Sequence, residues 1–442
     1  MLIKNAKLVN EGQIVSSDVR IVGEHIEKIA FSITPEANEP VLDAKGKYLL
    51  PGMIDDQVHF REPGLTHKGT IASESRAAAA GGITSFMEMP NVNPATTSIE
   101  ALEAKFDIAA RSSIGNYSFY LGATEHNLEQ IKRLDSSTHC GVKVFMGAST
   151  GNLLVENTSA LEGIFREAPT LIVTHCESGP VIAHNQARLD KLHRDIVIQD
   201  HPVIRDDEAC YASSSYAVNL AKQFDSQLHV LHITTAKELS LFTPGAIHTK
   251  KITAEACVHH LWFSELDYAR LGNQIKCNPA IKKESDRQAL LSAVQDGRID
   301  IIATDHAPHT WEEKQVPYPS APAGLPLVQH ALLTLLDQVQ RQAMTLEQVV
   351  EKTAHNPAIR YNIKERGYIR EGYYADLVLV DTTQQHHVTP ESILYHCGWS
   401  PYMAHQFSAS IVSTWVNGQL VFNGKEIIEQ PLSARRLTFE KQ

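Results

Sequence analysis

The stretch Ile301-Ile302-Ala303-Thr304-Asp305-His306-Ala307-Pro308-His309 is a short apolar run that breaks off into one acid and two histidines. A buried strand that delivers charged residues at its C-terminal end is how a parallel α/β barrel builds a metal site. Three other apolar runs carry a candidate ligand. Leu171-Ile172-Val173-Thr174-His175 and Leu228-His229-Val230-Leu231-His232 each end in histidine, and Val142-Lys143-Val144-Phe145 holds a lysine inside an otherwise apolar stretch. Together they point to metal-dependent hydrolytic chemistry.

Outward from these runs the same pattern repeats. Strands are expected at Met53 to His59, Ile83 to Met89, Tyr117 to Leu121, Val142 to Phe145, Leu171 to His175, Leu228 to His232, Ile252 to Ala256 and Ile299 to Asp305. Helical candidates between them include Glu74 to Ala80, Ile99 to Ala110, Leu161 to Glu167, Glu208 to Gln223 and Ser285 to Gln295, with closing helices at Pro326 to Arg341 and Thr345 to Thr353. Eight strands alternating with helices over about 250 residues satisfy a (β/α)8 barrel of the TIM type. The ends of the chain read differently. Leu2 to Val9, Ile14 to Val22, His25 to Ile33 and Tyr48 to Leu50 are short strands not followed by helices, and Ala375 to Asp381, Ser408 to Val416 and Gln419 to Phe422 revert to a period of two. The fold class is therefore α/β: a barrel over residues 51–370 inserted into a small β-sandwich built from 1–50 and 371–442.

Composition narrows the function. A formal net charge of -11, with no long basic tract, argues against nucleic acid or an anionic membrane as the main partner and favours a small molecule. The six cysteines show no CxxC spacing, and the N-terminus has no basic region followed by an apolar core, so a reduced, cytoplasmic setting is expected. No uncharged apolar stretch approaches the roughly 18 residues needed to span a bilayer.

Several positions stand out for their chemistry. A lone lysine in a strand core, Lys143, is costly unless its charge is removed or paired, the ordinary alternatives being a snorkelling lysine or a buried ion pair. Taken singly, His175 and His232 read as satisfied core histidines; as a set with Lys143 and Asp305, all on barrel strands, they read as ligands. His229 is three residues before His232 and is expected to face the other way. Asp305 can take a proton from a metal-activated water and return it to a leaving nitrogen, and Arg61 offers a planar fork to a carboxylate.

Asp55-Asp56-Gln57-Val58-His59-Phe60-Arg61-Glu62-Pro63-Gly64 resembles the opening motif of the amidohydrolase superfamily, and its Arg61-Glu62-Pro63-Gly64 portion is similar to the dihydroorotase branch. Gly141-Val142-Lys143-Val144-Phe145-Met146 is similar to the lysine strand of dihydroorotases and hydantoinases, and the resemblance covers nearly the whole chain. It implies zinc, one or two ions per chain, held by His59, Lys143, His175, His232 and Asp305, with Lys143 carbamylated to a bridging carboxylate and Asp305 catalytic. In that family two histidines one residue apart reach the more buried zinc, since alternate strand residues share a face. Here the second is His59 and the first is replaced by Gln57. An amide oxygen is a poor zinc ligand beside imidazole, so one ion held tightly by Lys143, His175 and His232, with a weak or vacant partner site, is expected.

The resemblance also implies that Arg61, Asn91, Asn278 and His309 hold a substrate carboxylate and ring, and that Ala323 and Gly324 contact substrate through backbone amides. Asn91 and Asn278 stand beside prolines, where asparagine is also a plain turn former. Allantoinases resemble this chain nearby but generally lack the arginine at the position of Arg61. The implied activity is zinc-dependent, reversible cyclisation of N-carbamoyl-L-aspartate to L-dihydroorotate in pyrimidine synthesis. Two alternatives stay open: another cyclic amidohydrolase of the hydantoinase, dihydropyrimidinase or allantoinase type, and a catalytically silent homologue partnering aspartate transcarbamoylase, motivated by Gln57. A homodimer is the base-rate expectation. The loop from His309 to Ala323 is long enough to act as a lid.

Overall fold

The computed structural model describes residues 1–147, 153–318, 320–429 and 434–441. Among these residues the central segment forms parallel strands Met53–Val58, Ile83–Glu88, Asn116–Phe119 with Leu121–Gly122, Val142–Gly147, Ile172–Glu177, Leu228–Val230, Ile252–Cys257 and Ile301–Ala303, each paired with the next in chain order. The last closes on the first through a parallel bridge of Val58 with His306, where His59 N donates to His306 O at 2.7 Å. The eight expected barrel strands are therefore the eight observed. Their near-continuous apolar character follows from burial on both faces, as a barrel wrapped by helices requires.

Two boundaries differ from expectation for identifiable reasons. The third strand is interrupted at Tyr120, whose hydroxyl donates to Asp56 O at 2.9 Å. The eighth strand stops at Ala303, because Thr304 donates through Oγ1 to Asp55 Oδ2 at 2.6 Å and Asp305 turns to φ 50°. The helices start about where their caps allow. Ile71–Ala80 begins a turn earlier than its apolar period suggests, with Thr70 accepting from Ser73 N. The helix Asp207–Phe224 is capped by Asp206, which accepts from Ala209 N.

The two ends of the chain meet in one sheet. Its strand order is Gln419–Phe422, Ser410–Val416, Leu377–Asp381, Tyr48–Pro51, Leu2–Asn10, Gln13–Val22, His25–Ala30, with the short strand Val41–Asp43 paired to Leu2–Asn10. Leu377–Asp381 runs antiparallel to Tyr48–Pro51, Leu379 opposite Leu49, so residues more than three hundred positions apart are neighbours. Period-two alternation divides this region between two cores. Leu49, Leu377 and Leu379 join Ile3, Leu8, Val19 and Trp415 in the small domain, while Leu50, Val378 and Val380 face the barrel core. The expected sandwich and barrel architecture is thus present.

The stretch after residue 381 does not stay in the sheet. His386–His387 pairs with Gln406–Phe407, and Tyr395, Trp399, Tyr402 and Phe407 pack into the barrel core. Leu437 and Phe439 return to a cluster with Ile54, Tyr361 and Ile363. We propose the two-domain division on this topology, with those two segments reassigned from the β domain to the barrel. Among the described residues no helix is long and apolar enough to cross a membrane.

Candidate metal centre and substrate cavity

Every sequence-selected site residue except His309 lines one cavity at the C-terminal ends of the barrel strands: Gln57, His59, Arg61, Asn91, Lys143, His175, His232, Asn278, Asp305, Ala323 and Gly324. Phe145 and Ala307 complete its wall. His309 lies in the wall of an adjoining cavity of about 600 Å³ that shares Arg61, Asn91 and Ala323. Three of these residues, Arg61 at φ 73°, His232 at φ 39° and Asp305 at φ 50°, occupy the left-handed region although none is glycine. Such backbone persists only where the surroundings over-determine it, and it collects at functional sites.

The candidate ligands fall into two pairs with Lys143 beside both. His59 Nε2 lies 3.1 Å from Asp305 Oδ1, and Gln57 Nε2 donates to the same oxygen at 3.2 Å. Gln57 Oε1 accepts from Cys257 Sγ at 3.6 Å, so both ends of the amide are engaged. On the other side His175 Nδ1 and His232 Nε2 face each other at 3.0 Å, the rings nearly perpendicular at 77°. His175 Nε2 lies 3.0 Å from Glu177 Oε2, and Glu177 pairs with Arg205. Burial alone would raise the Glu177 carboxyl, but Arg205 and His175 hold it down at about 2, so it is ionised and fixes the His175 proton on Nε2. The Nδ1 lone pair is then directed at His232. Two ring nitrogens converging at this spacing, one oriented by a carboxylate behind it, fit a zinc-type cation. Glu177 and Arg205 escaped the sequence reading. Glu177 had a signal, being two residues after His175 on the same strand and hence on the same face; Arg205 had none.

Lys143 is 1% exposed and, among the described residues, makes no hydrogen bond or ion pair, its Nζ lying 4.8 Å from the Phe145 ring centre. Burial lowers its pKa to about 8 against the pull of the Asp305 and Glu255 carboxylates. Neither ordinary alternative, snorkelling or a close ion pair, describes it. An amine with a substantial neutral fraction near neutrality is chemically competent to add carbon dioxide, and its charge bears on both His59 and His232.

Arg61 is 6% exposed, and its Nε donates to Pro308 O at 3.0 Å while Nη2 lies 3.2 Å from His309 Nε2. Burial brings its pKa down to about 10, which leaves it cationic at neutral pH. His309 Nε2 lies 3.0 Å from Ala323 O, and its Nδ1 lies 3.0 Å from Lys68 Nζ. Lys68 also pairs with Glu313 at 3.0 Å, which makes it a further cation at this rim that the sequence reading missed. Asn278 Oδ1 is a buried acceptor with no protein donor among the described residues, and it belongs to a residue of the cavity wall.

Gly324 lines the cavity, but its N–H already donates to Lys276 O at 2.8 Å, so the expected pair of backbone donors reduces to that of Ala323. At φ +134° a side chain on Gly324 would also meet Ala307 O at 2.5 Å. The segment after His309 holds the helix Trp311–Gln315, and it is pinned. Lys314, 1% exposed, donates to Lys276 O at 3.2 Å, Pro322 O at 2.9 Å and Gly324 O at 2.8 Å, and Trp399 Nε1 donates to His309 O at 2.8 Å. These bonds oppose the lid motion expected of this loop. His306 turns away from the cavity, with Nε2 at 2.9 Å from Glu74 and Nδ1 accepting from Leu327 N. His229 is likewise outside the cavity wall, packed between Asp56 and Glu255 at 3.3 and 3.6 Å.

The chain is similar to known proteins over nearly its whole length. The dihydroorotase of Halobacterium salinarum is 33% identical over 93% of this chain and 94% of its own length. That of Staphylococcus aureus is 31% identical over 96% of this chain and 99% of its own. Among solved structures, the L-hydantoinase of Arthrobacter aurescens superimposes with a TM-score of 0.93 at 24% identity, covering 99% of each chain. The dihydropyrimidinase of Brevibacillus agri gives 0.88 at 23%, covering 100% of this chain and 99% of that one. At such identities the structural likeness speaks for the fold. Residues 48–421 match the amidohydrolase family, and with a barrel that gathers histidine, lysine and aspartate at its C-terminal face, the chain belongs to that family.

Proposed function

We propose that this protein is a zinc-dependent dihydroorotase that interconverts N-carbamoyl-L-aspartate and L-dihydroorotate. The observation that carries the reading is Arg61, a buried guanidinium on the wall of the cavity that holds His59, Lys143, His175, His232 and Asp305. The dihydroorotase names of the relatives in Halobacterium and Staphylococcus support it. Bound zinc supplies Lewis acidity, polarising the ring carbonyl and lowering the pKa of water. His175, His232 and Lys143, the last as its carbamate, are the residues to hold it.

The remaining roles belong to the chain itself. Arg61 uses Nε on Pro308 O, which leaves its two Nη groups, one of them 3.2 Å from His309 Nε2, to meet the substrate carboxylate. Asn278 Oδ1 accepts a ring N–H, and Ala323 N–H donates to a ring oxygen. In the hydrolytic direction Asp305 accepts a proton from the attacking water. The new C–O bond forms as the ring C–N bond breaks, and Asp305 delivers that proton to the departing nitrogen. His59 and Gln57, both on Asp305 Oδ1, fix the orientation of this carboxylate. With both ends of its amide engaged, Gln57 is a positioning residue, and the adjoining metal position is weak.

A second reading, a cyclic amidase acting on hydantoins or dihydropyrimidines, uses the same cavity residues and Asp305 without a substrate carboxylate on Arg61. Hydrolysis of L-dihydroorotate, followed by loss of ultraviolet absorbance in protein supplied with zinc and bicarbonate, tests the proposal. Turnover that Lys143→Ala abolishes supports it. Faster turnover of dihydrouracil or hydantoin than of dihydroorotate overturns it in favour of the second reading, and no turnover on any of them returns the weight to a silent homologue.

A further inference from the structure

The seventh barrel strand, Ile252–Cys257, and the short helix Val258–Trp262 after it carry three side chains that the proposed chemistry leaves unused. Cys257 Sγ and one ring nitrogen each of His259 and His260 lie within 4.8 Å of one another. The three residues are 0%, 0% and 3% exposed. His260 Nε2 faces Pro279 O at 3.1 Å and carries the proton, which leaves the lone pair on Nδ1, and that atom is buried without a partner. Both nitrogens of His259 are also buried without a hydrogen bond. The Thr304 backbone is close enough to bias the charge of His259, but no bond of proper geometry forms. Two neutral imidazoles, their centres 3.9 Å apart and their planes tilted by 42°, leave these polar atoms unsatisfied, a state that buried groups rarely keep.

We propose that Cys257, His259 and His260 bind a divalent cation of the zinc class, at a site separate from the cavity ligands and behind Gln57. The donor set is a thiolate with two imidazoles, the combination that selects zinc among the common divalent ions. On binding, the Sγ–H bond is replaced by an Sγ–metal bond and the thiol proton is released to solvent. The neighbourhood carries both signs: Cys257 Sγ is 3.4 Å from Glu255 Oε1 and the charge of Asp305 bears on both Cys257 and His259, while the Lys143 amine interacts with Cys257 and Lys282 with His260. Gln57 turns its Oε1 toward this sulfur and its amide nitrogen toward Asp305, so an oxygen donor stands on the same side. Among the described residues the other buried group of this kind is Asp56, His229 and Glu255, in which one imidazole stands 3.3 and 3.6 Å from two carboxylates and which contains no sulfur donor.

The test uses the full chain produced in cobalt-supplemented medium and read without substrate, so it stands or falls separately from the dihydroorotase reading. None of the ligands on the cavity wall contains sulfur, so a thiolate-to-cobalt charge-transfer band in the near ultraviolet reports on a cysteine alone. The wild type is expected to show the band. Cys257→Ser should lose it together with one metal equivalent per chain, and Cys277→Ser, whose wild-type sulfur is 3.7 Å from His260 Nε2, should keep it. Cobalt-loaded wild type without the band overturns the proposal with no variant needed. A band that survives Cys257→Ser in folded protein does so as well.

Discussion

Replacing Arg61 with methionine separates recognition of the substrate carboxylate from the hydrolytic chemistry. The methionine keeps a flexible apolar stem and removes a cation that is 6% exposed. Of the guanidinium's donors, Nε is held by Pro308 O, so the carboxylate can meet at most the two Nη groups, one of which also approaches His309. Two charge-assisted hydrogen bonds, each a net contribution of about 1.5–3 kcal/mol, are worth about 3–6 kcal/mol. At about 1.4 kcal/mol per tenfold, kcat/KM for dihydroorotate should fall roughly 100- to 10,000-fold. Dihydrouracil has the same ring without the carboxylate, and its kcat/KM should change by less than about tenfold, since it never used those bonds. The assay is the pair of ratios, measured on variant and wild type with matched thermal stability. Equal losses on both substrates would refute the argument, because they would show that Arg61 supports the fold of the site or the chemistry itself. The effect should persist across neutral pH, since Arg61 keeps its charge up to a pKa of about 10.

Other expectations follow from particular contacts. Glu177→Gln removes the ionised partner of His175 Nε2 and should weaken zinc binding about 10- to 100-fold in a chelator competition; unchanged affinity would show that the carboxylate does not orient the ligand. Gly324→Ala places a side chain 2.5 Å from Ala307 O at φ +134°, and should lower stability by about 1–3 kcal/mol in urea unfolding, with no loss expected only if the loop is free to move. His201 and His330 are held neutral by burial, each with its pKa lowered to about 3 from 6.5. The unfolded chain then binds more protons than the native one between these values, so stability falls as pH drops through that window. By pH 5 each histidine should cost about 2 kcal/mol, and His330→Gln should flatten the pH dependence of the unfolding free energy by that amount. A pH slope unchanged in the variant would assign the acid sensitivity to other groups.

Much of the fold is written locally. A strand buried on both faces must be apolar at nearly every position, so eight such runs spaced by amphipathic stretches can be counted along the chain, and a polar residue inside one, such as Lys143 or His175, is conspicuous. The alternation of Leu377-Val378-Leu379-Val380 shows a strand but not that its two faces serve different cores; that follows only when Tyr48–Pro51 pairs beside it. His59, Lys143, His175, His232 and Asp305 are legible because they sit on barrel strands or at their ends, where chain direction and side-chain face are set by the strand, whereas Asn278, Ala323 and Gly324 lie in loops and come from the family resemblance.

What folding alone decided are the partners of those residues. Arg205 reaches Glu177 from a helix turn with no periodic signal, and Lys314, in a run of acids that reads as solvated surface, is buried on three carbonyls. The Gln57 substitution is plain in the sequence, yet which end of its amide meets Asp305 and which meets Cys257 depends on elements some two hundred residues away. The same holds for the unpaired nitrogens of His259 and His260. Local periodicity dictates which face a side chain occupies. Desolvation, pairing and the proton a ring carries are properties of whatever non-local neighbours are packed against that face.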